Sequence, residues 1–304
     1  MSDDAATDEG RFANLKSRAM TLADELGRRR DEARERIPAV DISFAALERD
    51  THMGGFVLAG ALAFRLFVYL LPMYLLILVI AGAALSVDPD SPRVLANTAG
   101  VSASLASMLS EAASTSQRSM WFLVPVTLFA LGVAANSAYK VLYTAHSRAW
   151  NLAAKRSARS TAAAAAGFFV ASIAIAGGHY VVRGMRHGAL IPVAMVVATL
   201  YFGALWLIIS RYLPRASGAG WWWLLPGAAL VGIGTQGLYL FSVFYLSRKI
   251  ESATEAYGAL GIAASLLAWL YLVGRLVVAA PVLNATLWER YGAPDTSDTE
   301  GDPS

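Results

Sequence analysis

The sequence predicts an all-α integral membrane protein with six transmembrane helices. Three observations predict this fold: 56% of the 304 residues are hydrophobic, only 15% are charged, and six apolar runs are each about as long as a bilayer is thick. A helix rising about 1.5 Å per residue needs about 20 apolar residues to cross a hydrocarbon core of roughly 30 Å. Because the chain has no cysteine, a disulfide framework, a Cys-ligated zinc and a thiolate nucleophile are excluded.

The six apolar runs follow one another along the middle of the chain. In order, they cover about 55–85, 120–143, 161–182, 189–213, 221–246 and 257–286. Only the segment RGMRHG separates the third run from the fourth, which predicts a tight reversal. Tryptophans at the run ends, at Trp121 and in the cluster 221–223, are typical of side chains anchored at headgroup level.

The distribution of charge predicts the orientation. An even number of spans places both termini on one side, where the flanking segments hold seventeen Lys and Arg against six on the other side. By the positive-inside rule both termini are then cytoplasmic. The basic residues punctuate apolar runs instead of clustering on a solvated face, which argues against nucleic-acid binding.

Polar segments flank and interrupt the membrane domain, predicted at 51–286. Within residues 1–50, Phe12, Leu15, Ala19, Leu22 and Leu26 recur at steps of three and four, which predicts an amphipathic helix. This helix either lies on the cytoplasmic leaflet or packs against another helix of this chain or of a partner. The segment 88–119 predicts an extracytoplasmic helical cap, and residues 287–304 predict an acidic, disordered tail.

Two motifs suggest chemistry, but their context argues against it. The string GIGTQG at 232–237 has the spacing of a dinucleotide-binding fingerprint, yet it lies inside an apolar run with no strand before it. Ala228 and Gly232 instead predict a smooth face that another helix approaches closely. Ser137 and Lys140 form an S-x-x-K pair that could serve an intramembrane hydrolase, whereas a lysine at a span end more often snorkels to the interface.

No catalytic, cofactor or metal site is predicted. The four histidines lie at or beyond the ends of runs and form no HExxH pattern. We therefore expect a protein that is not an enzyme and has no cofactor.

Two arginines, Arg65 and Arg275, stand within apolar runs and are the strongest functional signal. Each costs roughly 2.5–3.5 kcal/mol at the centre of a bilayer, so something must offset that cost. Counted from the ends of their runs they lie at similar depth, and the six runs contain no acidic residue. One hypothesis is therefore a basic cavity that accepts an anion such as a lipid phosphate. The other is that both arginines snorkel or tie helices together.

Other polar residues and prolines at membrane depth complete the candidate cavity. The polar candidates are Tyr69, Asn136, Gln236 and Asn284, and the predicted helix kinks are Pro72 and Pro281.

Three stretches carry a resemblance to a known family: ERDTHMGGFVLAGALAFRLFVYLLPMYLLI at 48–77, RYLPRASGAGWWWLLPGAAL at 211–230 and YGALGIAASLLAWLYLVGRLVVAAPVLNA at 257–285. On these the chain resembles the YihY/BrkB family of bacterial inner-membrane proteins, formerly mislabelled as ribonuclease BN. The resemblance implies a six-span bundle with cytoplasmic termini in the inner membrane. It differs from the family pattern at Arg65, Tyr69 and Val282, where an aromatic, a small or hydroxylated residue and an acid are usual.

The resemblance and the arginines together suggest a function. We expect the protein to transport or handle an anionic, lipid-linked amphiphile, with membrane lipids as partners and no nucleic acid. The alternative is a non-transporting structural or regulatory envelope protein that binds partner proteins or forms a homo-oligomer. A Ser/Lys hydrolase is the third hypothesis.

Overall fold

A computed structural model describes residues 38–85, 120–153, 159–185, 191–246 and 258–293, together with six single positions between 16 and 28. The chain divides into two units, Met1–Arg49 and Asp50–Ser304. All regular structure in these described parts is helical, which confirms the all-α prediction.

Seven α-helices make up the described structure. They are α1 Pro38–His52, α2 Gly55–Leu85, α3 Met120–Ala149, α4 Arg159–Met185, α5 Ile191–Arg211, α6 Leu225–Phe241 and α7 Ala259–Tyr291. A 3₁₀ turn, Trp221–Leu224, leads into α6, and a π-turn, Ser242–Leu246, follows it.

Helix α1 is an addition to the predicted elements, because a count of apolar runs does not detect a polar helix of 15 residues. Its sequence explains its start: Pro38 takes the first position, where a missing N–H costs nothing, and Asp41 lies in the first turn. Gly54 follows the helix with a φ of 73°, a left-handed conformation that suits glycine. This turn allows α2 to begin at Gly55.

The helices α2 to α7 correspond to the six predicted runs. Five segments are long and apolar enough to cross a membrane: Gly55–Ile77, Val124–Ala149, Ile191–Arg211, Trp221–Phe244 and Leu260–Tyr291. In α4, the apolar segment found among the described residues, Ala166–Gly178, is shorter than a span. Helix α7 also continues to Tyr291, so the first five residues of the predicted 287–304 tail are helical instead.

The six long helices pack in a closed order. Each of α2 to α7 packs against its successor in sequence, and α7 returns to pack against α2. Helix α7 also contacts α3. Consequently α7 and α2, at opposite ends of the sequence of the membrane domain, are direct neighbours.

Small residues let the backbones of α5 and α6 approach closely. A Cβ added to Gly232 would collide with the carbonyl oxygen of Thr199, and one added to Gly203 would lie 3.1 Å from the carbonyl oxygen of Ala228. This confirms the smooth helix face predicted from Ala228 and Gly232. It also removes the nucleotide-binding interpretation of GIGTQG, since these glycines lie inside α6 instead of in a turn after a strand.

Three predicted features lie outside the described residues. They are the amphipathic stripe from Phe12 to Leu26, the helical cap at 88–119 and the acidic tail from residue 294 onward.

Candidate functional site

Arg275 forms an ion pair with Asp50. Its Nη1 donates to both carboxylate oxygens of Asp50, at 3.2 Å to Oδ1 and 3.0 Å to Oδ2. The Asp50 side chain is 5% exposed and that of Arg275 is 23% exposed. A partly dehydrated arginine is therefore neutralised by a nearly buried carboxylate.

The six predicted runs contain no acidic residue, and the structure supplies the carboxylate from outside them. The acid comes instead from the end of α1, five residues before α2 begins. Asp50 and Arg275 are 225 residues apart in sequence and meet because α7 packs against α2.

The first turn of α2 is shaped around the ion pair. A Cβ on Gly55 would overlap the carboxylate of Asp50, so only glycine leaves room for that side chain. The guanidinium carbon of Arg275 lies 4.1 Å from the centre of the Phe56 ring, a cation–π geometry. Two adjacent residues of α2 thus hold both partners of the pair in place.

Arg65 has a different environment. It is exposed on α2, where its neighbour Phe64 is also exposed, at 52%. Among the described residues, it takes part in no hydrogen bond, ion pair or ring contact. Its charge is therefore available to a group outside the described part of the chain.

The two arginines do not converge on one cavity. Arg65 is nine positions after Phe56, which is about two and a half helical turns, so the two side chains project from opposite sides of α2. They also differ in position along the helix axis. Gly274 packs against Ala59, with a Cβ on the glycine only 2.6 Å from the Ala59 carbonyl oxygen. Arg65 lies six residues, or about 9 Å, further along α2. The two arginines are therefore offset along the helix axis because α2 and α7 are staggered, whereas their depth in a membrane stays a prediction.

Two other cavity candidates hold helices together. Asn284, which is 2% exposed, accepts a hydrogen bond from the backbone N–H of Gly227 at 2.7 Å. This N–H belongs to the first turn of α6, where N–H groups have no partner within the helix. The hydroxyl of Tyr69 donates to Ser172 Oγ at 3.0 Å and its ring meets the Phe168 ring edge-on, which joins α2 to α4.

The other residues of the predicted cavity are two polar side chains and two prolines. Gln236 is buried and Asn136 is half-buried, and each interacts with surrounding groups. Pro72 and Pro281 lie within continuous helices, α2 and α7. The predicted cavity set is thus spread over several helix contacts.

The Ser137 and Lys140 pair lies on α3. Lys140 is exposed and Ser137 is half-buried. An exposed lysine toward the end of an apolar helix fits snorkelling to the interface. The hydrolase stays a hypothesis without a supporting contact.

Asp50 is the partner of Arg275 that sequence reasoning missed. Its signal was present, since an arginine inside an apolar helix requires an anion, and Asp50 is the acidic residue nearest the start of the first run. Among the described residues, no group of three or more His, Asp or Glu side chains could hold a metal ion.

Comparison with protein families shows a match. The family model described as virulence factor BrkB matches residues 46–303, which includes Asp50, both arginines and all six long helices. No curated protein and no solved structure matches the chain.

Proposed function

The chain belongs to the BrkB virulence factor family, and from that premise we propose a six-span protein of the bacterial inner membrane that binds and handles an anionic lipid at Arg65. It is a multi-pass membrane protein, with five helices long and apolar enough to span. The sixth span in this proposal is α4, whose 27 residues extend about 40 Å.

The excess of Lys and Arg on one side of the spans supports cytoplasmic termini. In that orientation the Asp50–Arg275 pair lies near the cytoplasmic surface, because α2 begins five residues after Asp50. Arg65 lies about 15 Å deeper than the start of α2.

The observation that carries the lipid proposal is the combination of exposure and isolation at Arg65. An unpaired guanidinium costs roughly 2.5–3.5 kcal/mol at the centre of a bilayer. Among the described residues no acid offsets this cost. A lipid phosphate can do so, because a guanidinium donates two parallel hydrogen bonds to phosphate oxygens and its long side chain can reach toward the headgroups.

Only one of the two arginines is left to bind an anion. Arg275 is already neutralised by Asp50, so the anion site that we propose contains one arginine, on the surface of α2. This arrangement favours binding of a lipid from the side, since Phe64 and Leu71 on the same helix are exposed apolar side chains. We therefore propose binding, with no catalysis and no cofactor.

Lipid occupancy tests this proposal directly. The full chain is purified from membranes into nanodiscs with equal amounts of phosphatidylglycerol and phosphatidylcholine, and bound lipid is counted by native mass spectrometry. We expect phosphatidylglycerol to be enriched, and the enrichment to fall at least fivefold in Arg65→Ala and less in Arg65→Lys. The matched control is Lys140→Ala, which removes one exposed positive charge from another helix. An equal fall in the control, or no fall in Arg65→Ala, would refute the proposal.

A second candidate function rests on a different observation. Arg275, Tyr69 and Asn284 each bind a partner within the protein and join helices. Polar residues in this role suit a non-transporting structural or regulatory membrane protein that binds partner proteins. Deletion of residues 1–40 tests it. Loss of cellular function with normal membrane insertion and normal lipid occupancy supports the partner-binding candidate, and full function of the deletion variant removes it.

A further inference from the structure

The loop that joins α5 to α6, residues 212–220, lies between two segments that can each cross a membrane. These segments are Ile191–Arg211 and Trp221–Phe244. Helix α5 has 21 residues and is therefore about 31 Å long, close to the roughly 30 Å thickness of a hydrocarbon core. When α5 spans, its last residue and the short loop after it are placed at headgroup level, whichever side of the membrane they face.

One side of this loop is packed against the protein. Leu213 and Ala219 are each only 4% exposed. Gly218 lies against Trp288 of α7, since a Cβ added to the glycine would be 3.2 Å from that ring. The ring of Trp288 in turn meets the Trp223 ring edge-on, with ring centres 5.3 Å apart. The loop is therefore held at the carboxyl end of α7.

The other side presents three aromatic rings. Tyr212 is 80% exposed, Trp221 44% and Trp222 62%. The rings of the two tryptophans are stacked with their centres 3.6 Å apart, so they form one continuous surface. The three consecutive tryptophans are thus divided, because Trp223 packs against Trp288 and the other two face outward. An aromatic ring with a polar tip suits the boundary between headgroups and acyl chains.

Two arginines add positive charge at the same end of the bundle. Arg211 is exposed at the end of α5, and Arg215 donates from Nη1 to the carbonyl oxygen of Arg211 at 2.5 Å. This bond satisfies a carbonyl in the last turn of α5, where carbonyls have no partner within the helix. Helix α5 also contacts the turn Trp221–Leu224, so the charges and the stacked rings lie on neighbouring elements. Residues 211–223 include no Asp or Glu, so this surface is basic as well as aromatic.

These features favour phospholipid headgroups as the partner. A guanidinium donates charge-assisted hydrogen bonds to phosphate oxygens. Exposed rings beside it can pack against the glycerol and the upper part of the acyl chains. Because zwitterionic and anionic phospholipids both carry a phosphate, this contact does not require an anionic lipid.

We propose that the surface formed by Arg211, Tyr212, Arg215, Trp221 and Trp222 binds phospholipid headgroups at the membrane–water interface. The arginines bind phosphate and the three rings pack below it, so the contact sets the depth of this end of the bundle. Trp223 has no part in the contact. The surface lies on helices other than the one that carries Arg65 and does not depend on the anionic-lipid site proposed there.

Fluorescence quenching by brominated lipid tests the aromatic part of the surface. The full chain is reconstituted into vesicles of phosphatidylcholine that carries bromine either near the headgroup or near the end of the acyl chains. The chain has eight tryptophans, so the emission of the stacked pair is obtained as the difference between the wild type and Trp221→Phe/Trp222→Phe. We expect shallow bromine to quench this emission at least twofold more than deep bromine does. The matched control is Trp223→Phe, whose missing emission should be quenched less by shallow bromine than that of the pair.

Arg211→Gln tests the phosphate contact. Its midpoint of thermal unfolding should fall in nanodiscs of phosphatidylcholine and should equal that of the wild type in dodecyl maltoside micelles, whose headgroups contain no phosphate. A purely structural role for this arginine would lower the midpoint equally in both, and that result would overturn the phosphate contact. Arg211 is the better choice for this test, because Arg215 also bonds to a carbonyl of α5.

The acidic residues from 294 onward are the alternative occupant of this surface, since they follow directly after Ala293. A chain truncated after Ala293 separates the two. Shallow quenching of the pair that appears only after truncation would show that the tail covers the surface, and would overturn the proposal. Weak quenching of the pair in both chains, or quenching equal to that of Trp223, would overturn it as well.

The two lipid proposals fail separately. Enrichment of phosphatidylglycerol should be unchanged in Trp221→Phe/Trp222→Phe, and quenching of the pair should be unchanged in Arg65→Ala.

Discussion

Arg275 and Arg65 belong to helices that pack against each other, but only Arg275 faces its neighbour. Arg275 reaches across the contact between α7 and α2, where it meets a carboxylate at 3.0 Å and an aromatic ring at 4.1 Å. Arg65 points away from that contact and is exposed. The two residues have the same charge, and both lie in apolar stretches of the sequence. In the structure, however, Arg275 has a carboxylate partner, whereas Arg65 has none among the described residues.

The difference teaches that an arginine in an apolar helix is not by itself a ligand site. The cost of the charge has to be offset in both cases. For Arg275 the protein supplies the anion, so the arginine stabilises the fold. For Arg65 the described part of the protein supplies none, and Arg65 is therefore where we propose that a lipid anion binds.

Removal of Asp50 should give the largest effect on stability. Asp50→Ala leaves the Arg275 charge unpaired, and breaking a buried ion pair in this way costs about 3–5 kcal/mol. We expect a value near the lower end, about 3 kcal/mol, because Arg275 keeps some exposure. The free energy of unfolding in mixed micelles with increasing dodecyl sulfate measures it.

The double variant Asp50→Ala/Arg275→Leu sharpens this result. Removal of both charges should recover most of the loss, because no unpaired ion remains. Glu289→Ala is the control, since its carboxylate is exposed and should change stability by less than about 0.5 kcal/mol. The single variant Arg275→Leu is measured as well. If the double variant loses as much unfolding free energy as Asp50→Ala and Arg275→Leu together, the ion pair is not the source of the effect.

Gly55→Ala should have the next largest effect, because its new Cβ displaces the carboxylate of Asp50. Overpacking of this kind costs about 1–3 kcal/mol. The same measurement on Gly132→Ala provides the control, since Gly132 lies inside α3 with nothing within 4 Å of a new Cβ. In an Asp50→Ala background the cost at Gly55 should largely disappear, and a cost that persists there would mean the clash involves another group.

Phe56→Leu should have a smaller effect. The substitution keeps an apolar side chain but removes the ring beneath Arg275, a loss of about 0.5–1 kcal/mol at a partly exposed site. Phe64→Leu makes the same exchange on the same helix away from Arg275. Equal unfolding free energies for the two variants would show that the ring contact contributes nothing.

Arg65→Leu should have the smallest effect on stability. Since Arg65 has no partner among the described residues, its removal should change the free energy of unfolding in detergent by less than about 0.5 kcal/mol. A loss of 2 kcal/mol or more would show that Arg65 is a structural residue like Arg275, and the contrast between the two would fail.

The helices were predictable because their cause is local. The first run, 55–85, coincides with α2, since length and continuous hydropathy are enough to place a helix in a membrane. Helix α3 extends six residues past the predicted end at 143. His146 and Ser147 in this extension are polar and yet buried, and hydropathy along the chain does not register burial against another helix.

The candidate site was predictable only in part. The residue types that matter, Arg65 and Arg275, were identifiable because a charge in an apolar run is expensive wherever the run lies. The small-residue face of α6 was also identifiable, because close packing requires small side chains at four-residue spacing. The roles of Asn284 and Tyr69 were not identifiable, since each depends on a partner on another helix.

The sequence by itself determined that this chain is a helical, multi-pass membrane protein of the BrkB family, with two arginines whose charge needs a counterpart. Only the tertiary structure decided that Asp50 is the counterpart of Arg275 and that Arg65 faces outward. The physical reason is that hydropathy is a property of each segment alone. The partner of a charge depends on which helices become neighbours and how far they are staggered.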